Sequence, residues 1–347
     1  AWHTIMGLVQ GSPTTRGGDM KRIADTVRRG WRALTRHQDW NIGIVDAPIS
    51  AFVDPQFIPK IRWLPNPPAG CFAADPFVFD LNGTKHILYE SYEFARERGI
   101  LAALRLAPNG DVVDCGPVLS AATHLAYPYL FEWSGELYCV PESAVAGEIA
   151  IYRVERVPGD LKRVATLLAG VNAVDPSVFE HNGKWWLAFT DQATGPNEAL
   201  YLYHADTPLG PWAPHALNPV KRDAGSSRPA GTPFMHQGSL YRPAQDCNST
   251  YGGRIALNRV TELTPQRFSE ETVRWIEPAT DGPRPHGLHT ISGSGSITVI
   301  DGKRERFVSA AAGAMLRRNL LKTVAKRSQR PAQPHDRVEP ARPATIA

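Results

Sequence analysis

The sequence predicts an all-β fold, a five-bladed β-propeller with short helical extensions at its N- and C-terminal ends, and three observations carry that prediction. Four segments repeat in register: DPFVFDLNGTKHILYES from Asp75, YPYLFEWSGELYCVPES from Tyr127, DPSVFEHNGKWWLAFTD from Asp175 and AGTPFMHQGSLYRPAQD from Ala230. In each, a Phe (Phe79, Phe131, Phe179, Phe234) stands four residues before a Gly (Gly83, Gly135, Gly183, Gly238), and the leading residue stands eight before it. The copies start 52, 48 and 55 residues apart, the period of a four-stranded blade with generous loops. Composition agrees, since 29 Gly and 30 Pro in 347 residues favour many short strands and turns, and 42% hydrophobic content supplies a sizeable core.

Taken in chain order, residues 1–39 form an N-terminal extension. There Met20, Ile23, Ala24, Val27, Trp31 and Leu34 fall at helical spacing with Lys21, Arg22, Arg28, Arg29 and Arg32 between them. Such a basic amphipathic helix either packs on the propeller or makes peripheral contact with an anionic membrane surface. Residues 40–309 are the propeller. WNIGIV from Trp40 supplies the strand that closes the ring onto the last blade, which removes exposed sheet edges. Each repeat reads as a strand, a Gly turn and a second strand, a β-hairpin. The fifth blade, GLHTISGSGSITVIDGKRERFVS, breaks the register: a strand, a flexible Ser/Gly stretch, then a hairpin round Asp301 and Gly302. Residues 310–347 add a short helix (AMLRRNLLKTVAKR) and a disordered basic tail.

Charge narrows the function. The net +4 is misleading, because residues 316–347 carry eight Lys/Arg against two acids, leaving −2 elsewhere. A nearly neutral body argues against a nucleic-acid groove. Cys71, Cys115, Cys139 and Cys247 show no metal or redox spacing and read as free thiols. No apolar run approaches the ~18 residues of a membrane span, and the start has no signal-peptide pattern, so a cytoplasmic protein is expected. No GxGxxG, P-loop, HExxH or GxSxG motif is present, so no cofactor is expected. His286 and His289 lack a third partner at ligand spacing, so no metal is expected either.

A hairpin returns the chain to the side where it began. The strand starts (Asp75, Tyr127, Asp175, and Ala230 with Arg228) and the strand ends (Glu90, Glu142, Asp191, Asp246) therefore ring one mouth, opposite the Gly turns. Facing carboxylates across a polar funnel are what glycosidic cleavage requires, one as acid and one as base or nucleophile. Asp75 and Asp175 are the expected pair, with Glu142 tuning their protonation. The structural alternative is an Asp–Pro turn cap repeated by duplication. Arg228 and Arg242 suit a ligand carboxylate or phosphate, or equally structural ion pairs with Asp191 or Asp246. His289 either reaches the axis or is a satisfied core histidine. Trp63, Trp133, Trp185 and Trp186 are candidates for stacking on sugars, although Trp185 and Trp186 alternate faces and at least one belongs between blades.

The segments AADPFVF and VDPSVFEHNGKWWLAFTD resemble the furanosidase propellers of glycoside hydrolase families 43, 32 and 68. WNIGIV, YPYLFEWSGELYCVPES, SSRPAGTPF, LYRPAQDCNSTYGGRIALNRVTELT and GLHT more closely resemble the N-terminal domain of plant glucosamine inositolphosphorylceramide transferases, a module also found in bacterial proteins beside a formyltransferase-like domain. The hydrolase resemblance implies a catalytic Asp in the first blade, matched by Asp75, a pKa-modulating Asp in the second and a Glu acid in the third. Here Tyr127 and Asp175 stand at the latter two positions, so Asp175 would replace the acid and Glu142 would supply the third carboxylate. The transferase resemblance implies glycolipid or cell-surface glycan biosynthesis. The expected activity is therefore carboxylate acid/base chemistry on a glycosidic bond of a glycan or glycolipid. The alternative is a non-catalytic glycan-binding or scaffolding propeller for a glycosyltransferase or formyltransferase-like partner. Tyr127, Arg228, Arg242, Asp246, His289, Asp191 and Glu90 are the expected substrate contacts.

Overall fold

The computed structural model describes residues 36–307, apart from Pro108. The propeller occupies Gln38–Glu305 as one compact unit. Both proposed amphipathic helices and the basic tail lie outside the described residues. Among the described residues no helix is long and apolar enough to cross a membrane.

Strands β1 (Arg36–Val45) and β2 (Ile61–Trp63) come first among the described residues, and the next seventeen strands fill four blades in sequence. Blade one is β3 (Cys71–Leu81), β4 (Thr84–Glu93), β5 (Arg98–Leu106) and β6 (Val112–Leu119). Blade two is β7 (Ala126–Trp133), β8 (Glu136–Glu142), β9 (Glu148–Val154) and β10 (Lys162–Ala169). Blade three is β11 (Ala173–His181), β12 (Lys184–Asp191), β13 (Ala199–Ala205) and β14 (Ala213–Pro214), with β15 (Lys221–Arg222) also on β13. Blade four is β16 (Phe234–His236), β17 (Ser239–Asp246), β18 (Arg254–Leu263) and β19 (Phe268–Ile276). Blade five joins β20 (Ile291–Ser294) and β21 (Ile297–Phe307) to β1 and β2 in the order β2-β1-β21-β20. The strand containing WNIGIV thus closes the ring, as its sequence predicts.

The blade-five hairpin differs from the sequence expectation. Its turn is the Ser/Gly stretch itself, with Gly295 at φ +61°, and β21 runs unbroken through Asp301 and Gly302. The apolar alternation of Ile297, Val299 and the buried Ile300 keeps that strand extended past the Asp–Gly pair. Gly302 serves close packing rather than a turn, since a Cβ there would lie 2.2 Å from the Trp63 ring.

Alternation along the strands puts apolar faces between blades. Ile42, Ile44 and Val299 of blade five meet Val78, Ile87 and Leu104 of blade one. Phe77, Leu88 and Leu101 of blade one pack with Tyr129, Val140 and Ile149 of blade two and with Val178 and Leu187 of blade three. Trp186, Leu200 and Leu202 meet Leu240 and Leu263 of blade four, and Ile255 and Ile276 meet Ile291 and Ile300. The innermost strands β20, β3, β7 and β11 contact one another in turn around the axis.

Between blades four and five the backbones touch. Gly231 bridges Ile291 in parallel, its φ is +121°, and a Cβ on it would lie 1.8 Å from the Ile291 carbonyl oxygen. Gly231→Ala should therefore lower stability by about 3 kcal/mol, read as a lowered urea midpoint with unchanged slope.

Candidate functional site

The leading residue of each of the first three repeats sits in a bulge. Asp75, Tyr127 and Asp175 have φ of +52°, +43° and +52°, and the ladders shift register there, between Ala74 and Phe77, Ala126 and Tyr129, and Val174 and Ser177. The prolines that follow (Pro76, Pro128, Pro176) have no N–H to lose from the ladder. The bulge turns each leading N–H out of the ladder, and a side chain from another blade accepts it. Asp75 N donates to Asp301 Oδ2 (3.2 Å), Tyr127 N to Asp75 Oδ2 (3.2 Å), Asp175 N to Glu142 Oε2 (3.1 Å) and Gly231 N to the Tyr127 hydroxyl (2.6 Å).

These side chains form one buried polar cluster on the axis. Asp75 is 4% exposed; its Oδ1 accepts from Thr290 Oγ1 at 2.7 Å and lies 3.3 Å from His289 Nε2. Asp301 Oδ1 accepts the His289 and Thr290 N–H groups at 2.8 and 3.1 Å. His289 Nδ1 is 2.6 Å from Asp301 Oδ2, but off the ring's donor direction, so the contact is an ion pair without an aligned hydrogen bond. Asp175 is 2% exposed, and its Oδ2 receives Arg228 Nε and Gln245 Nε2, both at 2.6 Å. Arg228 is held further by Asn197 Oδ1 at 3.2 Å and the Tyr251 hydroxyl at 3.4 Å.

Acids outnumber cations here: Asp75, Glu90, Glu142, Asp175 and Asp301 face Arg228 and His289. Burial, reinforced by Asp175 and Asp301 and opposed by His289, pushes Asp75 from 3.8 up to about 6. Burial, with Asp175 beside it, holds Glu142 well above the usual carboxylate range, and burial plus the surrounding acids does the same for Glu90. Burial works against a charged His289, yet Asp301 and Asp75 outweigh it and raise its pKa. Burial thus favours the neutral forms of the two glutamic acids, while the neighbouring carboxylates favour the charged form of the imidazole. Asp75, His289 and Asp301 also place one ligand atom each within 4.8 Å of the others, the one group with metal-ligand spacing among the described residues. As arranged, the imidazolium bridges the two carboxylates.

The loop between β17 and β18 covers the axis. Tyr251 lies edge-on to Trp40 and to His289 at 6.1 and 5.2 Å, and Trp40 lies against His289 at 4.0 Å. Lys303 Nζ anchors this loop on Thr250 Oγ1 (3.1 Å) and the Tyr251 carbonyl.

The structure gathers Asp75, Glu90, Glu142, Asp175, Tyr127, Arg228 and His289 at the axis, and it places the other expected contacts elsewhere. Asp191 caps the turn after β12, accepting Ala193 N at 2.8 Å. Asp246 pairs with Arg254 at 2.8 Å, and Arg242 pairs with Glu270 and the Ser226 and Ser227 carbonyls. The physical reason is register. Glu90 and Glu142 stand seven residues after their turn glycines, whereas Asp191 and Asp246 stand eight, and a shift of one residue along a strand points the side chain to the other face. Seven after Gly238 is Gln245, which is fully buried and bonded to Asp175, so the constant spacing from the glycine would have found it. In blade four, Gln245 N donates to Arg228 O (2.8 Å), which puts Arg228 in the inner position that Ala74 fills opposite Glu90. Asp301, Thr290 and Tyr251 were hidden by the broken register of blade five and by the length of the β17–β18 loop. Trp185 packs on Phe131 and Trp186 belongs to the blade-three and blade-four core, so neither serves the mouth.

Two outcomes follow from this electrostatic arrangement. Between pH 4 and 6 the folded chain keeps the Asp75 proton that the unfolded chain has lost, so stability falls as pH rises through that window, by about 3 kcal/mol for this group. Glu90, Glu142 and His289, all raised, extend the fall to higher pH. Urea midpoints should be higher at pH 5 than at pH 8, and Asp75→Asn should flatten the segment between pH 4 and 6. Arg228→Met strands a buried carboxylate and should cost about 3–5 kcal/mol, most of which Asp175→Asn in the same chain restores, as read by a double-mutant cycle.

Comparison with known proteins places the fold and site in context. Glucosamine inositolphosphorylceramide transferase 1 of Oryza sativa subsp. japonica is 32% identical over 248 residues, covering 67% of this chain and 33% of that protein. The protein of the same name from Arabidopsis thaliana is 31% identical over 250 residues, covering 67% and 32%. The chain thus spans about a third of the length of these relatives. Among solved structures, Zg3597, a family 117 glycoside hydrolase from Zobellia galactanivorans, superposes with a TM-score of 0.49 at 15% identity, covering 76% of this chain and 90% of that one. An exo-β-1,3-galactanase from Phanerochaete chrysosporium gives 0.47 at 14% identity, covering 58% and 51%. Residues 66–302 match the family described as glucosamine inositolphosphorylceramide transferase 1, N-terminal, and the chain belongs to that family.

Proposed function

We propose that this propeller is a saccharide-recognition module of cell-surface glycan or glycolipid biosynthesis, which presents its ligand to a glycosyltransferase. Membership of a family whose relatives are named as transferases, and of which this chain spans about a third, supports the carbohydrate context and a partner that performs the transfer. The observation that carries the non-catalytic reading is the commitment of the two aspartates expected to act as acid and base. Asp75 binds Tyr127 N, Thr290 Oγ1 and His289, and Asp175 binds Arg228 and Gln245, so each is spent on the framework below the mouth. A carboxylate that must attack or exchange protons needs a free lone pair aimed at the ligand.

One observation favours a second reading, glycosidic acid/base chemistry. Burial beside Asp175 raises the Glu142 pKa and favours its neutral form, and burial pushes Asp75 up to about 6, the kind of tuning that acid and base roles require. Under that reading Glu142 is the acid and Asp75 the base. Titration of the wild-type chain with a broad glycan and glycolipid panel, with product analysis, separates the two. Recognition predicts saturable binding with no product and an Asp75→Asn chain whose affinity is weakened. Product formed by the wild type and lost in Asp75→Asn would overturn it in favour of catalysis.

A further inference from the structure

Beside the axial cluster, blade one carries a polar and aromatic wall that the bulge caps do not use. Glu90 and Tyr92 stand two residues apart on β4 and so share a face, paired across the ladder with Ala74 and Phe72. The Phe72 and Tyr92 rings are stacked, 4.6 Å between centroids and 6° from parallel. Phe94 meets both edge-on at 5.5 and 5.2 Å. All three aromatic residues are half-buried. From the approach to blade two, His124 brings its ring 5.9 Å from Tyr92 and its Nε2 3.6 Å from Glu90 Oε1.

The chemistry of the two polar groups is fixed by their surroundings. His124 Nδ1 accepts the Gly99 N–H at 2.9 Å, which leaves the ring proton on Nε2, facing Glu90. Gly99 makes room for this approach, because a Cβ there would lie 2.4 Å from Glu90 Oε1 and 2.9 Å from the His124 ring. Burial lowers the His124 pKa, and burial with the neighbouring acids raises that of Glu90, so the neutral form of each is favoured. Glu90 is 5% exposed, and its Oε1 has no hydrogen-bond partner among the described residues. A buried polar group in that state is short of a partner worth about 1–3 kcal/mol. A flat apolar surface next to an uncharged donor and acceptor suits a ring-shaped ligand with one C–H face and a rim of hydroxyls.

We propose that Phe72, Tyr92, Glu90 and His124 form a saccharide subsite on the wall between blades one and two, with one sugar ring stacked on the Tyr92–Phe72 pair and a hydroxyl bonded to Glu90. The proposal rests on the saccharide-recognition reading and gives it a location away from the occupied axis. It also fixes a preference: neutral rings over uronic acids, because the acids around Glu90 repel a carboxylate.

The test uses the full chain and the methyl glycosides of glucose, galactose, mannose, N-acetylglucosamine and glucuronic acid, with calorimetric titration and saturation-transfer NMR. At least one neutral glycoside should bind, with saturation passing from aromatic protons to sugar C–H protons, and the glucuronide should bind more weakly. Tyr92→Ala and Glu90→Leu should each weaken binding about tenfold, whereas Tyr92→Phe, which keeps the ring face, and Glu90→Gln, which keeps a neutral donor and acceptor, should stay within about twofold. Binding that persists in Tyr92→Ala, or shows no aromatic transfer in the wild type, overturns the subsite while leaving saccharide recognition standing. Failure of the wild type to bind any saccharide, including the glycans of the broader panel, overturns both. The transfer experiment needs no variant, so a Tyr92→Ala chain that does not fold still leaves a decision.

Discussion

The propeller depends on how its inner strands dispose of one N–H group each. A left-handed residue before proline, at Asp75, Tyr127 and Asp175, tips that N–H out of its own ladder near the axis, where water is scarce. An unpaired buried N–H costs about as much as a lost hydrogen bond, so each must be accepted by a side chain across a blade boundary. Asp301 serves blade one, Asp75 serves blade two, Glu142 serves blade three and the Tyr127 hydroxyl serves Gly231 of blade four. Cooperation between blades is thus written into the hydrogen bonds as well as the apolar faces. The strain of a positive φ at a residue as large as Tyr127 is held by the ring packing with Phe77 and Tyr129 around it.

This arrangement has an electrostatic consequence. Acceptors at the axis are mostly carboxylates, and five of them in a dry space cannot all be ionised against two cations. Protons settle on the groups with least compensation. Asp175 is compensated by Arg228 and Gln245, and Asp301 by two backbone N–H groups and His289, whereas burial raises the pKa of Glu90 and Glu142 and favours their neutral forms. A raised carboxyl pKa on this axis therefore arises from architecture first. That is the reason a perturbed pKa alone does not make Asp75 catalytic here, although it would be the first sign of catalysis in an open cleft.

Much of this was legible in the sequence, and the illegible part has a physical cause. The turn glycines fix the hairpin register, so blades one to three and the inward placement of Asp75, Tyr127, Asp175, Glu90 and Glu142 could be read from spacing alone. Blade five has no such ruler. Its Ser/Gly turn replaces the Phe-x-x-x-Gly frame, and Asp301–Gly302, which looks like a turn by local preference, is kept extended by the apolar strand around it. Asp191 and Asp246 were misjudged because a carboxylate at the strand end is conspicuous while a Gln or Thr one residue earlier is not. Gln245 shows the cost of choosing by residue type over register: an amide N–H donates to the Asp175 carboxylate, which another carboxylate could not do.

The same logic separates the parts of the mouth that architecture has consumed from those it has left available. At the axis each of the four inner-strand N–H groups has found a side-chain acceptor, and substituting a cap disturbs two blades at once. Along β4, by contrast, Glu90 occupies the position from which Glu142 caps Asp175 in the next blade, yet the Tyr127 N–H has already been taken by Asp75. Blade one thus retains a carboxyl that its own repeat provides and its neighbour does not need. A repeated fold generates such a spare group wherever two copies solve the same capping problem with different side chains. Flanked by stacked aromatics and by an imidazole of fixed tautomer, the spare acid at Glu90 can take a new partner without giving up a bond that holds the blades together.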